Sequence, residues 1–72
     1  MLTYRLIDDN DGKFIYEYYP DGDENAAGVI SFDKSGNPIK VVDSVADVKR
    51  YYAGHACRGI SIGKENGVVA WY

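Results

Sequence analysis

The first 42 residues of this 72-residue chain alternate between apolar and polar side chains in four short segments, and this alternation constrains the fold most strongly. A period of two is typical of a β-strand that buries one face. Clusters rich in Asp, Asn and Gly separate the segments and predict turns, because these residues tolerate left-handed backbone geometry. We therefore predict an antiparallel four-stranded β-meander with strands at 2–7, 13–19, 28–32 and 39–42.

The period changes after residue 43. Ser44 and Asp47 stand in a capping-box arrangement, with a hydroxyl residue three positions before an acid. Apolar residues then recur at helical spacing and predict one α-helix from residue 44 to residue 59 or 63, and the apolar run 68–72 predicts a final strand. The chain is thus predicted to be a single small α+β domain spanning residues 1–72, in the order β-β-β-β-α-β.

The position of the fifth strand stays open between two arrangements. It can pair antiparallel with strand one, or parallel with strand four through a right-handed crossover. We favour pairing with strand one.

The two faces of the predicted sheet differ in polarity. A single α-helix packed on one sheet face would cover the more apolar one through Val45, Val48, Tyr52 and Ala56. That apolar face carries Leu2, Tyr4, Leu6, Phe14, Tyr16, Tyr18, Ile30, Phe32, Ile39 and Val41. The other face carries Thr3, Arg5, Ile7, Ile15, Glu17, Tyr19 and Val42. This second, mixed face has no further element to cover it, so it is either solvated or an interface.

Composition excludes several ways of stabilising so small a domain. One Cys cannot close an intramolecular disulfide, and one Cys with one His cannot complete a tetrahedral zinc site. Seven Tyr, two Phe and one Trp must therefore supply much of the core.

The charge distribution is uneven along the chain. Residues 1–47 hold four basic and ten acidic residues, a charge of −6, whereas residues 48–72 hold four basic and one acidic, a charge of +3. Direct binding of nucleic acid is not expected from an acidic sheet, because phosphate contacts need Lys and Arg.

With no predicted membrane span, no signal-peptide pattern and one free thiol, we expect a cytoplasmic protein.

The residues able to do chemistry do not form a catalytic or metal-binding set. His55 and Cys57 are two positions apart and point to opposite flanks of a helix. Asp21, Asp23 and Asn25 have the spacing of a calcium-loop start, but Ala26 stands where that loop needs Gly, and its closing Glu is absent. We expect no enzyme activity, no metal and no cofactor.

Two surfaces are candidates for binding. Tyr51, His55 and Arg58 fall on one exposed side of the predicted helix, and Tyr and Arg are enriched at interface hot spots. Ile7, Ile15 and Tyr19 lie on the uncovered sheet face. Alternatively, Tyr51 only leans on the core edge and Arg58 only complements the helix C-terminus.

No motif is specific enough to name a family. The function we predict is a small non-catalytic protein-binding module, such as an adaptor, an inhibitor or an immunity-like protein. The alternatives are a homo-oligomeric structural protein, including a possible homodimer, and an acidic inhibitor that imitates nucleic acid to occupy a basic protein.

Overall fold

A computed structural model describes residues 1–45, 47 and 51–70. It contains one five-stranded antiparallel sheet, one α-helix and one short 3₁₀ turn at Glu24–Ala26, and so confirms the predicted α+β fold. The strands are β1 (Leu2–Asp8), β2 (Phe14–Pro20), β3 (Gly28–Phe32), β4 (Pro38–Val42) and β5 (Asn66–Val69), and the helix is α1 (Tyr51–Gly59). In the described part of the chain, no helix is long and apolar enough to cross a membrane.

The strands lie in the order β4-β3-β2-β1-β5. The first four form the predicted meander, with each strand antiparallel to the one before it. The prediction that the last strand pairs antiparallel with strand one is confirmed, since Leu2 lies opposite Val69 and Arg5 opposite Asn66. Trp71 and Tyr72, which were predicted to continue this strand, lie outside the described residues.

The core lies between α1 and one face of the sheet. The largest fully buried side chains are Tyr16, Tyr18, Phe32, Leu2 and Ile30. The helix opposes them with the small buried residues Ala53 and Ala56, which let it approach closely to the large rings. Tyr16 makes edge-to-face contacts with Tyr4 at 5.6 Å and with Phe32 at 5.9 Å between ring centroids, a favoured aromatic geometry.

Two residues predicted for the core interface are exposed, and a third lies outside the described residues. Val45 is 93% exposed, so its prediction as a core residue was wrong; it lies in the turn before α1, where Asp47 N–H donates to the Ser44 carbonyl at 3.0 Å. Ile39 is 54% exposed, because β4 carries a bulge there that breaks the alternation of faces. Val48, also predicted to pack on the sheet, lies outside the described residues.

Hydroxyl groups at the ends of core tyrosines hold the connections in place. Tyr16 Oη accepts from the Gly63 N–H at 3.0 Å and donates to the Lys64 carbonyl at 2.8 Å, which fixes the segment between α1 and β5. Burial, partly offset by the Gly63 bond, raises the pKa of Tyr16 above its ordinary value. The ring therefore fills the core while its polar end satisfies a loop.

Candidate functional site

The exposed side of α1 carries a row formed by Tyr51, His55 and Arg58, here called the aromatic ridge. Tyr51 is 54% exposed. Its ring meets the His55 imidazole edge to face, with centroids 5.0 Å apart and planes at 75°. A second edge contact joins Tyr51 to Tyr52 at 5.4 Å and 89°. The predicted neighbours on the helix therefore touch, and Tyr51 is held from two sides while much of its surface remains open.

Arg58 completes the ridge one turn further along. A Cβ placed on Gly54 would lie 3.6 Å from a terminal guanidinium nitrogen of Arg58, so this side chain extends back beside Gly54. The absence of a side chain at Gly54 leaves that space open. Arg58 also stands in the last turn of α1, where a cation suits the helix dipole. Both interpretations of Arg58 given by the sequence are therefore compatible with its position.

The Asp47 carboxylate binds the first turn of α1. Its Oδ1 accepts from the Tyr52 N–H and its Oδ2 from the Ala53 N–H, both at 2.9 Å. The same Oδ2 accepts from the buried Tyr18 hydroxyl at 2.7 Å. Because Tyr18 belongs to the central strand β2, this carboxylate connects the sheet directly to the turn of α1 that carries Tyr51.

Ser44 extends this network toward the 3₁₀ turn. Its N–H donates to Tyr18 Oη at 3.0 Å, and its hydroxyl donates to the Ala26 carbonyl. Burial raises the pKa of Tyr18 well above its ordinary value, and the bond to the Asp47 carboxylate adds to the shift, while the Ser44 N–H opposes it. The Tyr18 hydroxyl is thus held in its neutral, donating form.

Tyr52 joins the ridge to an acidic loop. Its hydroxyl donates to Asp21 Oδ2 at 3.0 Å, and this bond is the main reason that the pKa of Tyr52 is raised. The Asp21 carboxylate also lies 3.8 Å from the amino group of Met1. Asp23 Oδ1 accepts from the Asn25 N–H at 3.0 Å and caps the 3₁₀ turn. Both of these acids therefore take part in local structure.

The uncovered sheet face lies on the side opposite α1 and has a polar centre. Arg5 Nη2 lies 3.4 Å from Glu17 Oε1, and the Tyr19 hydroxyl donates to the same oxygen at 2.7 Å. Burial and the Glu17 carboxylate raise the pKa of Tyr19 to about 12. Ile7 is 46% exposed and lies within the β1 bulge between Leu6 and Asp8, and Ile15 is half-buried.

The structure therefore separates the predicted site residues into two groups. Tyr51, His55 and Arg58 share the ridge, whereas Ile7, Ile15 and Tyr19 belong to the opposite face. Tyr19 was predicted to take part in interaction, but it is only 5% exposed and offers little contact area. Of the two surfaces, the ridge presents the more accessible aromatic group.

His55 and Cys57 take different roles on α1. His55 contacts Tyr51 on the exposed side, while Cys57 is half-buried and packs against the core. Among the described residues, no group of three His, Cys, Asp or Glu side chains could hold a metal ion.

A shallow recess of about 370 Å³ also lies at one end of β1 and β5. It is lined by Arg5, Leu6, Ile7, Asp8, Asp9, Glu65 and Asn66.

The two residues that position the ridge, Tyr18 and Asp47, were not among the predicted site residues. Tyr18 was assigned only to the core face, and Asp47 only to a local cap. The capping-box spacing was a usable signal for Asp47, because a carboxylate near a helix start seeks free N–H groups. No sequence signal connects Asp47 with Tyr18, since 29 positions separate them.

Comparison with known proteins gave no match among protein-family models, curated proteins or solved structures.

Proposed function

We propose that this protein is a non-catalytic protein-binding module, of the adaptor, inhibitor or immunity-like kind, and that the aromatic ridge is its contact surface. The observation that carries the proposal is the state of Tyr51, which is 54% exposed yet held by edge contacts to two neighbouring rings. Exposed Tyr and Arg side chains are the groups most enriched among interface residues that dominate affinity.

Order in the ridge favours binding for an entropic reason. Immobilising a mobile side chain at an interface costs roughly 0.5–1.5 kcal/mol. Tyr51 is already restrained by His55 and Tyr52, and the helix under it is restrained by the Asp47 carboxylate. A partner that packs on Tyr51 would therefore lose less of its contact energy to ordering.

Charge contributes mainly to partner choice. Arg58 adds a planar cation to the ridge, which suits a carboxylate on the partner. The net charge of −3 comes from acids spread over the loops, and this field would speed encounter with a partner that is basic around its contact patch. A cytoplasmic location belongs to the same proposal, because a chain with a single Cys cannot form the intramolecular disulfides typical of exported small domains.

Affinity capture from a lysate of the native host tests the proposal. The baits are the wild-type protein, Tyr51→Ala and Arg58→Ala, with Ile7→Glu as a matched surface change on the opposite face. We expect one stoichiometric partner, retained by Ile7→Glu and weakened by about 2 kcal/mol or more by Tyr51→Ala, which is roughly 30-fold in Kd. Circular dichroism of each bait checks that the fold is intact.

A partner that is bound equally by all four baits would contradict the ridge as the contact surface. Loss confined to Ile7→Glu would transfer the site to the uncovered sheet face.

A further inference from the structure

The two edges of the sheet differ in how well they are protected from pairing with another strand. β4 begins at Pro38, which has no N–H, carries a bulge at Ile39 and exposes Lys40. These are features by which proteins protect edge strands. β5 has the sequence Asn-Gly-Val-Val, with no Pro, no charge and an unbroken register to β1. Its outer edge is therefore the less protected one.

The register shows which backbone groups lie on that outer edge. The Leu6 N–H donates to the Glu65 carbonyl at 2.7 Å, so this pair belongs to the hydrogen-bonded set of the β1–β5 ladder. Because the set alternates, Gly67 and Val69 also bond to β1. The N–H and C=O groups of Asn66 and Val68 then point away from β1. Within the described chain, no further strand pairs with them.

We propose that this edge is the interface of a homodimer, in which β5 pairs antiparallel with β5 of a second copy about a two-fold axis at Val68. In this register, the two Val68 residues exchange both backbone hydrogen bonds, and Asn66 of each copy lies opposite Ala70 of the other. The sheets of the two copies become one continuous sheet. The Val68 side chains, each 61% exposed in the single chain, become neighbours.

The distribution of charge favours pairing of two copies through β5 over pairing through β4. Two identical chains of net charge −3 repel wherever their acids meet. Residues 66–70 carry no ionisable side chain, so the two copies meet along an uncharged strand. The same pairing through β4 would bring Lys40 close to its own copy. The proposed pairing is thus the one that meets no like charge along the strand.

The dimer should be weak and reversible. A four-residue strand buries less than the roughly 800 Å² per partner that is usual for stable interfaces. The ridge lies on the helix, so the ridges of both copies remain accessible in the proposed dimer. This inference stands independently of the function proposed for the ridge.

Sedimentation equilibrium over a wide concentration range tests the proposal, with amide hydrogen exchange as a site-specific readout. The variants are Val68→Lys and Val68→Pro, the second of which removes the outward N–H while leaving the β1 ladder its donors. Val42→Lys is the control, because Val42 is 51% exposed and lies on the same sheet face at the opposite edge.

We expect a concentration-dependent dimer for the wild type and for Val42→Lys, with the dimer Kd raised about tenfold or more by either change at Val68. In the dimer, the amides of Asn66 and Val68 should become protected, whereas those of Gly67 and Val69 are protected in both states. A wild type that stays monomeric at every concentration would overturn the proposal. So would a dimer that Val68→Lys leaves intact or that protects neither outward amide.

Discussion

Replacing Tyr18 by Phe should destabilise the domain more than its single lost oxygen suggests. Tyr18 is fully buried, and its hydroxyl donates to the Asp47 carboxylate at 2.7 Å while it accepts the N–H of Ser44 at 3.0 Å. A hydrogen bond to a charged group contributes about 1.5–3 kcal/mol, and a buried N–H that loses its acceptor costs about 1–3 kcal/mol. Since such terms are not additive, we expect Tyr18→Phe to lower the free energy of unfolding by about 2–4 kcal/mol.

Tyr19→Phe is the matched control for that change. Tyr19 follows Tyr18 in the same strand, and its hydroxyl also donates to a carboxylate at 2.7 Å, that of Glu17. Glu17 is partly exposed, so water can replace the lost bond and we expect a cost of about 1 kcal/mol. The difference between the two variants therefore reports the buried Ser44 N–H together with the stronger, less exposed bond to Asp47.

Urea denaturation followed by circular dichroism gives both free energies of unfolding. A domain of this size has about 4–11 kcal/mol of stability at typical values per residue, so a loss of this size is easily measured. Faster amide exchange at Tyr52 and Ala53, which share the Asp47 carboxylate, should accompany Tyr18→Phe. Equal costs for Tyr18→Phe and Tyr19→Phe would refute the reasoning.

Three further predictions concern other parts of the domain. Gly28→Ala should cost about 2 kcal/mol or more in a urea titration, because the new Cβ would lie 2.2 Å from the Tyr18 ring, whereas Gly54→Ala should stabilise the helix by up to about 1 kcal/mol. Tyr19 has a pKa of about 12 when folded and 10.0 when unfolded, so its contribution to stability is fully present below pH 10.0 and is lost toward pH 12. The urea concentration at the unfolding midpoint should therefore fall across that interval, and it should fall less for Tyr19→Phe. Val45→Asp should change the free energy of unfolding by less than about 0.5 kcal/mol, since this side chain is 93% exposed. A large loss of stability would instead indicate that Val45 packs in the core.

The strands and their order could be predicted because the signals for them are local. Alternation assigned Tyr16, Tyr18 and Phe32 to the buried face, and the structure buries all three. Short turns forced consecutive strands to be neighbours. Ile39 was placed on the wrong side because a bulge adds one residue to β4, and a single added residue reverses the face of those before it.

The start of the helix was harder to predict for a different reason. Val45 has the correct spacing for the apolar stripe of α1, yet the turn at Ser44 leaves it exposed. The chain turns there because Ser44 and Asp47 are bound to groups distant in sequence, Ala26 and Tyr18. Helical periodicity reports only on the local face of a segment, so it cannot detect such tertiary contacts.

The same contacts connect the aromatic ridge to the core of the domain. Tyr51 is more than half exposed, and its neighbours His55 and Tyr52 are themselves only partly buried. The ring contacts of Tyr51 are therefore supported by the helix backbone that carries them, which Asp47 links to the central strand through Tyr18. If the ridge is the contact surface, as proposed, Tyr18→Phe should weaken partner binding although Tyr18 lies outside that surface. The effect would be seen as a lower affinity at temperatures where the variant is still fully folded.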